Sequence, residues 1–217
     1  KAARLKTIIH NWSEARRDAV KALGSVTLTL GIQNITQNDL RKVFECLLRA
    51  LEEYTIDNRG DIGAWVREAS MNVLHQLLKA CPVDRVEADI VHKVMSGLAQ
   101  QSVEKIDRTR GIAGKLFHSL LYHEPEIPHI QQRDVLKSIF PQDANKILWL
   151  FADHTFPLFC NLLGLHEYSE KLLIGFMASI GQLTESLIKH SSSLFLDFLN
   201  SHPNETPRIC DLTLKVF

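Results

Sequence analysis

The stretch WVREASMNVLHQLL, Trp65 to Leu78, carries its apolar side chains at helical spacing: Trp65, Ala69, Val73, Leu74, Leu77 and Leu78 share one stripe, and the run ends before Pro82. Within it stands a shorter pattern, Arg67, then the small Ser70 three residues on, then Leu74 four residues later. The same order recurs in Arg16, Ala19 and Leu23 and again in Arg110, Ala113 and Phe117, and a weaker fourth match runs through Lys171, Ile174 and Ala178. The three arginines lie 51 and 43 residues apart, near or slightly above the ~40 to 47 of HEAT-type units. In this reading the small residue lets one helix approach its neighbour, the Leu or Phe fills the groove, and the Arg sits at the rim. A single amphipathic pair cannot bury its own apolar face, so such units stack. The pattern predicts an all-α chain of the HEAT/armadillo type, an α-solenoid of stacked antiparallel helix pairs.

Working outward, Leu40, Val43, Phe44, Leu47, Leu48 and Leu51 form the preceding helix, with Asn38 as its expected cap. Further helices are expected over roughly 84–100 and 103–122, with short breaks that favour antiparallel neighbours. Val26, Leu28, Leu30 and Ile32 alternate like a strand, but no second alternating run lies nearby to pair with them, so a frayed helix end or loop is expected. The apolar run Leu172 to Ile180 falls short of the ~20 residues that cross a bilayer and reads as a core helix. The expected division is three repeat units over 1–123, an irregular insertion over 124–156 holding Pro125, Pro128 and Pro141, and further helical repeats over 157–217 cut short at the C-terminal end. The opening at Lys1 without Met reads as a fragment or excised domain.

Lys plus Arg and Asp plus Glu each number 25. Without a net field the chain lacks the electrostatic pull of a nucleic-acid binder, and no membrane insertion is expected. The four cysteines, Cys46, Cys81, Cys160 and Cys210, form no CxxC or Cys/His cluster and read as reduced, mostly buried thiols. Sequons at Asn11, Asn34 and Asn204 matter only for a secreted protein. Gly111-Ile112-Ala113-Gly114-Lys115-Leu116 imitates a P-loop but lacks the Ser or Thr that would hold magnesium and the properly spaced first Gly, so it reads as small residues in a packed helix. His123-Glu124 and His166-Glu167 begin like zinc-protease helices, yet the second His is replaced by Ile127 and Glu170. None of the ten histidines clusters in sequence, and Ser191-Ser192-Ser193 is no nucleophile elbow. No catalytic residue, cofactor or metal site is expected.

The charged turns carry more information. Arg59-Gly60-Asp61 spells an adhesion tripeptide but reads as a turn between helices, with Asp61 capping the helix that holds Trp65 and Arg67. An Asp61/Arg67 ladder between repeats is the structural alternative. Glu104-Lys105-Ile106-Asp107-Arg108 is a second charged stretch.

These turns belong to a longer string of words: Tyr54-Thr55, Asp57, Arg59-Gly60-Asp61, Gly63 and Trp65-Val66-Arg67-Glu68-Ala69; Ala99-Gln100-Gln101; Ile127-Pro128-His129; Phe140-Pro141; Phe156-Pro157; Leu162-Leu163-Gly164-Leu165; and Leu183-Thr184-Glu185-Ser186 with Ile188, His190 and Ser191. In this order they resemble the tubulin-folding cofactor D family over most of the chain, while the first fifty residues and the tail after Asn200 match loosely. The resemblance implies an armadillo/HEAT-type scaffold, not an enzyme, that captures β-tubulin and joins cofactors E and C in assembling or dismantling the α/β heterodimer. It further implies an Arf-like small GTPase as partner, GTP hydrolysis that belongs to tubulin in the assembled complex, and a cytoplasmic location extending to centrosome and cell junctions. Asp57, Arg59, Lys105 and Arg108 are the expected partner contacts, chosen for charge and exposure. The competing expectation is a structural spacer or a generic HEAT adaptor for another cargo.

Overall fold

The computed structural model describes residues 12–181 and 185–216. Almost every described element is helical, and the chain divides into two compact units, 1–94 and 95–217, with the division inside a helix.

In the first unit, α1 (Ser13–Leu30) and α2 (Gln37–Ala50) pack on α3 (Gly63–Ala80), and the start of α4 (Ala88–Gln101) follows. Helix α3 is the core: Ala64, Val66, Met71, Leu74, Leu77 and Leu78 are all buried. Ser70 sits at the α2–α3 contact, its hydroxyl donating to the Leu47 carbonyl at 2.5 Å. The stripe of α2 buries Leu40, Phe44 and Leu47, whereas Val43 and Leu48 are half-buried. Its cap is Thr36, whose hydroxyl accepts from the Asp39 amide at 3.1 Å, and not Asn38, which stands exposed in the first turn.

Helix α1 departs from the expected register. Ala19 is exposed and Leu23 half-buried; the buried positions are Ser13, Val20, Gly24 and Thr27. Gly24 makes the close approach, since a Cβ there would lie 2.5 Å from a Val73 methyl. The alternating Val26, Leu28 and Leu30 belong to the last turns of α1 with their side chains in solvent, and Ile32 is buried in the 3₁₀ turn beyond. Tertiary burial of a helix face overrides a short strand-like alternation.

The second unit holds the end of α4, then α5 (Asp107–Leu121), α6 (Arg133–Ile139), α7 (Ala152–Cys160), α8 (His166–Ile180), α9 (Glu185–Ser201) and α10 (Thr206–Val216). Helix α9 packs on α7 and α8, and α10 on α8. Its centre is aromatic: Phe117 stands 5.3 Å from both Phe140 and Phe159, with Tyr168 at 6.3 Å. Such tilted and edge-on pairs add to the gain from burying the rings.

Helix α8 is the core helix that its apolar run foretells, burying Leu172, Leu173, Gly175 and Phe176. A Cβ on Gly175 would fall on the Gln100 carbonyl, and the Ser179 hydroxyl donates to the Val103 carbonyl at 2.6 Å. Gly175 thus makes the tight contact, while Ile174 and Ala178 of the weak fourth match are half-buried. The proline-containing segment folds back on α5, where His118 Nε2 meets the Pro141 carbonyl at 2.8 Å and the Tyr122 hydroxyl donates to Phe140 at 2.6 Å. Among the described residues no helix is long and apolar enough to cross a membrane.

Candidate protein-docking turns

In the first unit, the break between α2 and α3 is a minimal hairpin, β1 (Ile56–Asp57) against β2 (Gly60–Asp61), with Asp57 opposite Gly60. Gly60 closes the turn at φ +99°, a backbone setting that side chains disfavour. Asp57 accepts from the Arg59 amide at 2.8 Å and from its guanidinium at 2.8 and 3.0 Å. These hydrogen bonds from Arg59 hold the Asp57 carboxyl below its ordinary range. Arg59 also reaches Glu14 at 2.5 Å and lies 5.0 Å from the Trp65 ring centre, yet its side chain remains 43% exposed. The adhesion-like tripeptide is therefore tied down in a closed, charge-paired turn.

Beneath the hairpin lies a buried ion pair. Arg67, 0% exposed, meets both Asp61 oxygens at 3.2 Å, donates to the Glu53 carbonyl at 2.7 Å and lies 4.0 Å from the Tyr54 ring centre. Asp61 also accepts from the Ala64 amide at 3.1 Å in the first turn of α3, whose N-cap position is Ile62. The pair is local to the turn, linking it to the first turns of α3. Arg16 approaches the same turn from α1, 3.1 Å from Glu53, and its guanidinium also donates to Ser13 Oγ at 2.9 Å.

The second charged turn joins α4 to α5 and repeats the device. Arg110 is buried on α5, where it donates to the Glu104 carbonyl at 2.8 Å, to Asp107 at 2.5 Å and to the Leu150 carbonyl at 3.0 Å. Glu104 is fully buried and accepts from the Lys105 amide at 2.7 Å. Lys105 is half-buried, while Asp107 and Arg108 are exposed. Ala113 and Phe117 lie fully buried one and two turns further along α5. Gly111 and Gly114, the P-loop mimics, are contact points: a Cβ on either would lie 2.5 to 2.6 Å from Leu150 or Trp149.

Three further arginines escaped the sequence pattern. Arg85 donates to the carbonyls of Ile32 and Ile35, Arg133 to those of Leu121 and Ile127, and Arg208 to that of Leu163. Each donates to carbonyls in loops or at helix ends, and that of Ile32 also accepts from the Ile35 amide at 3.2 Å. The available signal was an Arg placed a few residues after a proline-bearing break, at Pro82, Pro128 and Pro203. Arg41 was also missed. It binds Glu87 and, at 2.7 Å, Asp89, tying α2 to the start of α4.

Cys81 and Cys160 are buried, whereas Cys46 and Cys210 are exposed, so half of the thiols lie outside the core. Burial pushes the Cys81 thiol up to about 11 and the Cys160 thiol up to about 12. His123 Nδ1 lies 2.8 Å from the Pro125 carbonyl, and among the described residues no group of three or more His, Cys, Asp or Glu is placed to hold a metal. Leu183 and Thr184 of the family words, and Asn11 of the first sequon, lie outside the described residues.

These features define a class: an all-α, HEAT-like protein of packed helix pairs whose charged turns are mounted on buried arginines. The chain belongs to the family of tubulin folding cofactor D, whose C-terminal profile matches residues 92–217. It is 31% identical over 186 residues to tubulin-specific chaperone D of Dictyostelium discoideum, a match covering 76% of this chain and 13% of that protein. It is also 33% identical over 78 residues to tubulin-folding cofactor D of Schizosaccharomyces pombe, covering 36% of this chain and 7% of that protein. The chain thus spans a small part of its relatives' length. No solved structure matches it significantly.

Proposed function

We propose that this chain is a protein-binding segment of a tubulin-folding cofactor and that it holds β-tubulin while the α/β heterodimer is assembled or taken apart. The family match over 92–217 carries this reading, and the surface chemistry supports it. Arg59 and Arg108 present charge from turns fixed by buried Arg67 and Arg110, so a partner meets groups whose ordering cost is already met by folding. Cofactors E and C and an Arf-like small GTPase are the further partners. Any GTP hydrolysis occurs on tubulin in the assembled complex, and the setting is the cytoplasm, extending to centrosome and cell junctions. Asp57, Arg59, Lys105 and Arg108 are the contacts assigned to the partner.

The test is binding of purified tubulin to the 217-residue chain and to its Arg59→Glu and Arg108→Glu variants, with thermal melting in parallel. Weaker capture with unchanged melting supports direct contact. Equal capture by both variants would remove these residues from the interface, and absence of binding by the unaltered chain would favour the spacer reading.

A further inference from the structure

Between α6 and α7 the second unit displays a short apolar segment whose backbone is held rigidly while its side chains face solvent. Leu148, Leu150 and Phe151 are 48, 51 and 57% exposed, three large apolar groups within four residues. Solitary exposed apolar residues are ordinary, but a cluster of this kind is uncommon on a surface without a use for it. Trp149 alternates inward to 5% exposure, packs over Gly114 and donates its indole N–H to the Ala144 carbonyl at 3.2 Å. The carbonyl of Leu150 accepts from buried Arg110 at 3.0 Å. The segment forms one wall of an open groove of ≈ 480 Å³, and among the described residues Lys115 of α5 is the charged group that lines it. Neither Lys115 nor exposed Lys146 makes an ion pair or hydrogen bond among the described residues, and Asp143 is engaged with the Asn145 amide at 3.0 Å.

A rigid apolar ledge beside a cation without a counter-charge fits a partner segment that offers an apolar side chain next to a carboxylate. Resting on the tubulin-binding reading above, we infer that this groove is a second contact for the tubulin subunit, in which Leu148 and Phe151 seat an apolar side chain and Lys115 pairs with a neighbouring carboxylate. The contact is separate in sequence from the charged turns, and its apolar part survives salt that screens Arg59, Arg108 and Lys115 alike.

The experiment measures purified tubulin binding to the whole chain, to Leu148→Ser/Phe151→Ser, to Lys115→Glu and Lys115→Arg, and to Leu214→Ser as an exposed apolar control elsewhere. Expected are a loss of at least tenfold for the double variant, a several-fold loss for Lys115→Glu, and little change for Lys115→Arg and Leu214→Ser. Lys115→Glu alters an exposed side chain, which keeps the test open if the double variant misfolds. If the unaltered chain binds tubulin and both groove variants bind within twofold of it, the groove inference fails while the tubulin reading stands. If the unaltered chain does not bind, the tubulin reading itself fails. Sedimentation of the same proteins completes the test: a dimer of the chain that only the groove variants abolish would assign the groove to a second copy and overturn the inference.

Discussion

Replacing Arg67 by Met removes a guanidinium with 0% exposure and strands what it served. Asp61, whose side chain is 5% exposed, loses its bonds from the guanidinium and keeps the one from the Ala64 amide, and the Glu53 carbonyl loses a 2.7 Å donor. Breaking a buried pair by deleting one partner costs about 3–5 kcal/mol, because the remaining charge loses its guanidinium partner at a site largely shielded from water. Stacking over the Tyr54 ring at 4.0 Å is lost with it. Hydrogen exchange read segment by segment is the suitable assay, since the chain has two compact units and a single global melting curve would merge them. The amides of α3 should lose protection by about 3–5 kcal/mol in the Arg67→Met protein, while those of α8 change little. The double variant Arg67→Met/Asp61→Leu should recover a large share of the loss, because removing both charges leaves neither unpaired. A loss under about 1 kcal/mol in the single variant, or a double variant as damaged as the sum of the two singles, would refute the view that this pair braces the turn.

Two further outcomes follow from packing and from charge. Gly175→Ala places a methyl on the Gln100 backbone carbonyl and should destabilise the second unit by about 1–3 kcal/mol, whereas Gly164→Ala, with its nearest neighbour Phe198 4.0 Å away, should be neutral or slightly favourable by differential scanning calorimetry. Asp89, held down to about 2 chiefly by its hydrogen bonds from Arg41, contributes stability that is fully present above its ordinary carboxyl value of 3.8 and is lost as pH falls towards 2. Carboxyl-carbon NMR of Arg41→Gln should show Asp89 titrating at a higher pH; an unchanged titration would dissolve the proposed link between α2 and α4.

Fold class was legible because helical periodicity is a local property. The stripe from Trp65 to Leu78 and the bond from the Ala64 amide to Asp61 follow from neighbours within one or two turns, whereas the cap of α2 fell on Thr36 and not on Asn38. Register between helices was not local. Ala19 and Gly24 are both small residues on α1, and only the position of Val73 on another helix decides that Gly24 makes the contact and Ala19 faces solvent. The same applies to Gly175, whose neighbour Gln100 is remote in the chain. The charged turns were visible as runs of Asp, Arg, Lys and Glu, but composition cannot distinguish Arg59, at the surface, from Arg67, at 0% exposure. The run Ile147-Leu148-Trp149-Leu150-Phe151 is apolar throughout, so the amino-acid order left open which of its side chains face outward. By itself the amino-acid order set which segments are helices and where they stop, because backbone preference and capping act over a few residues. Which faces touch, which arginines are buried and which apolar side chains remain in solvent were decided by tertiary packing, which brings together atoms the order keeps apart.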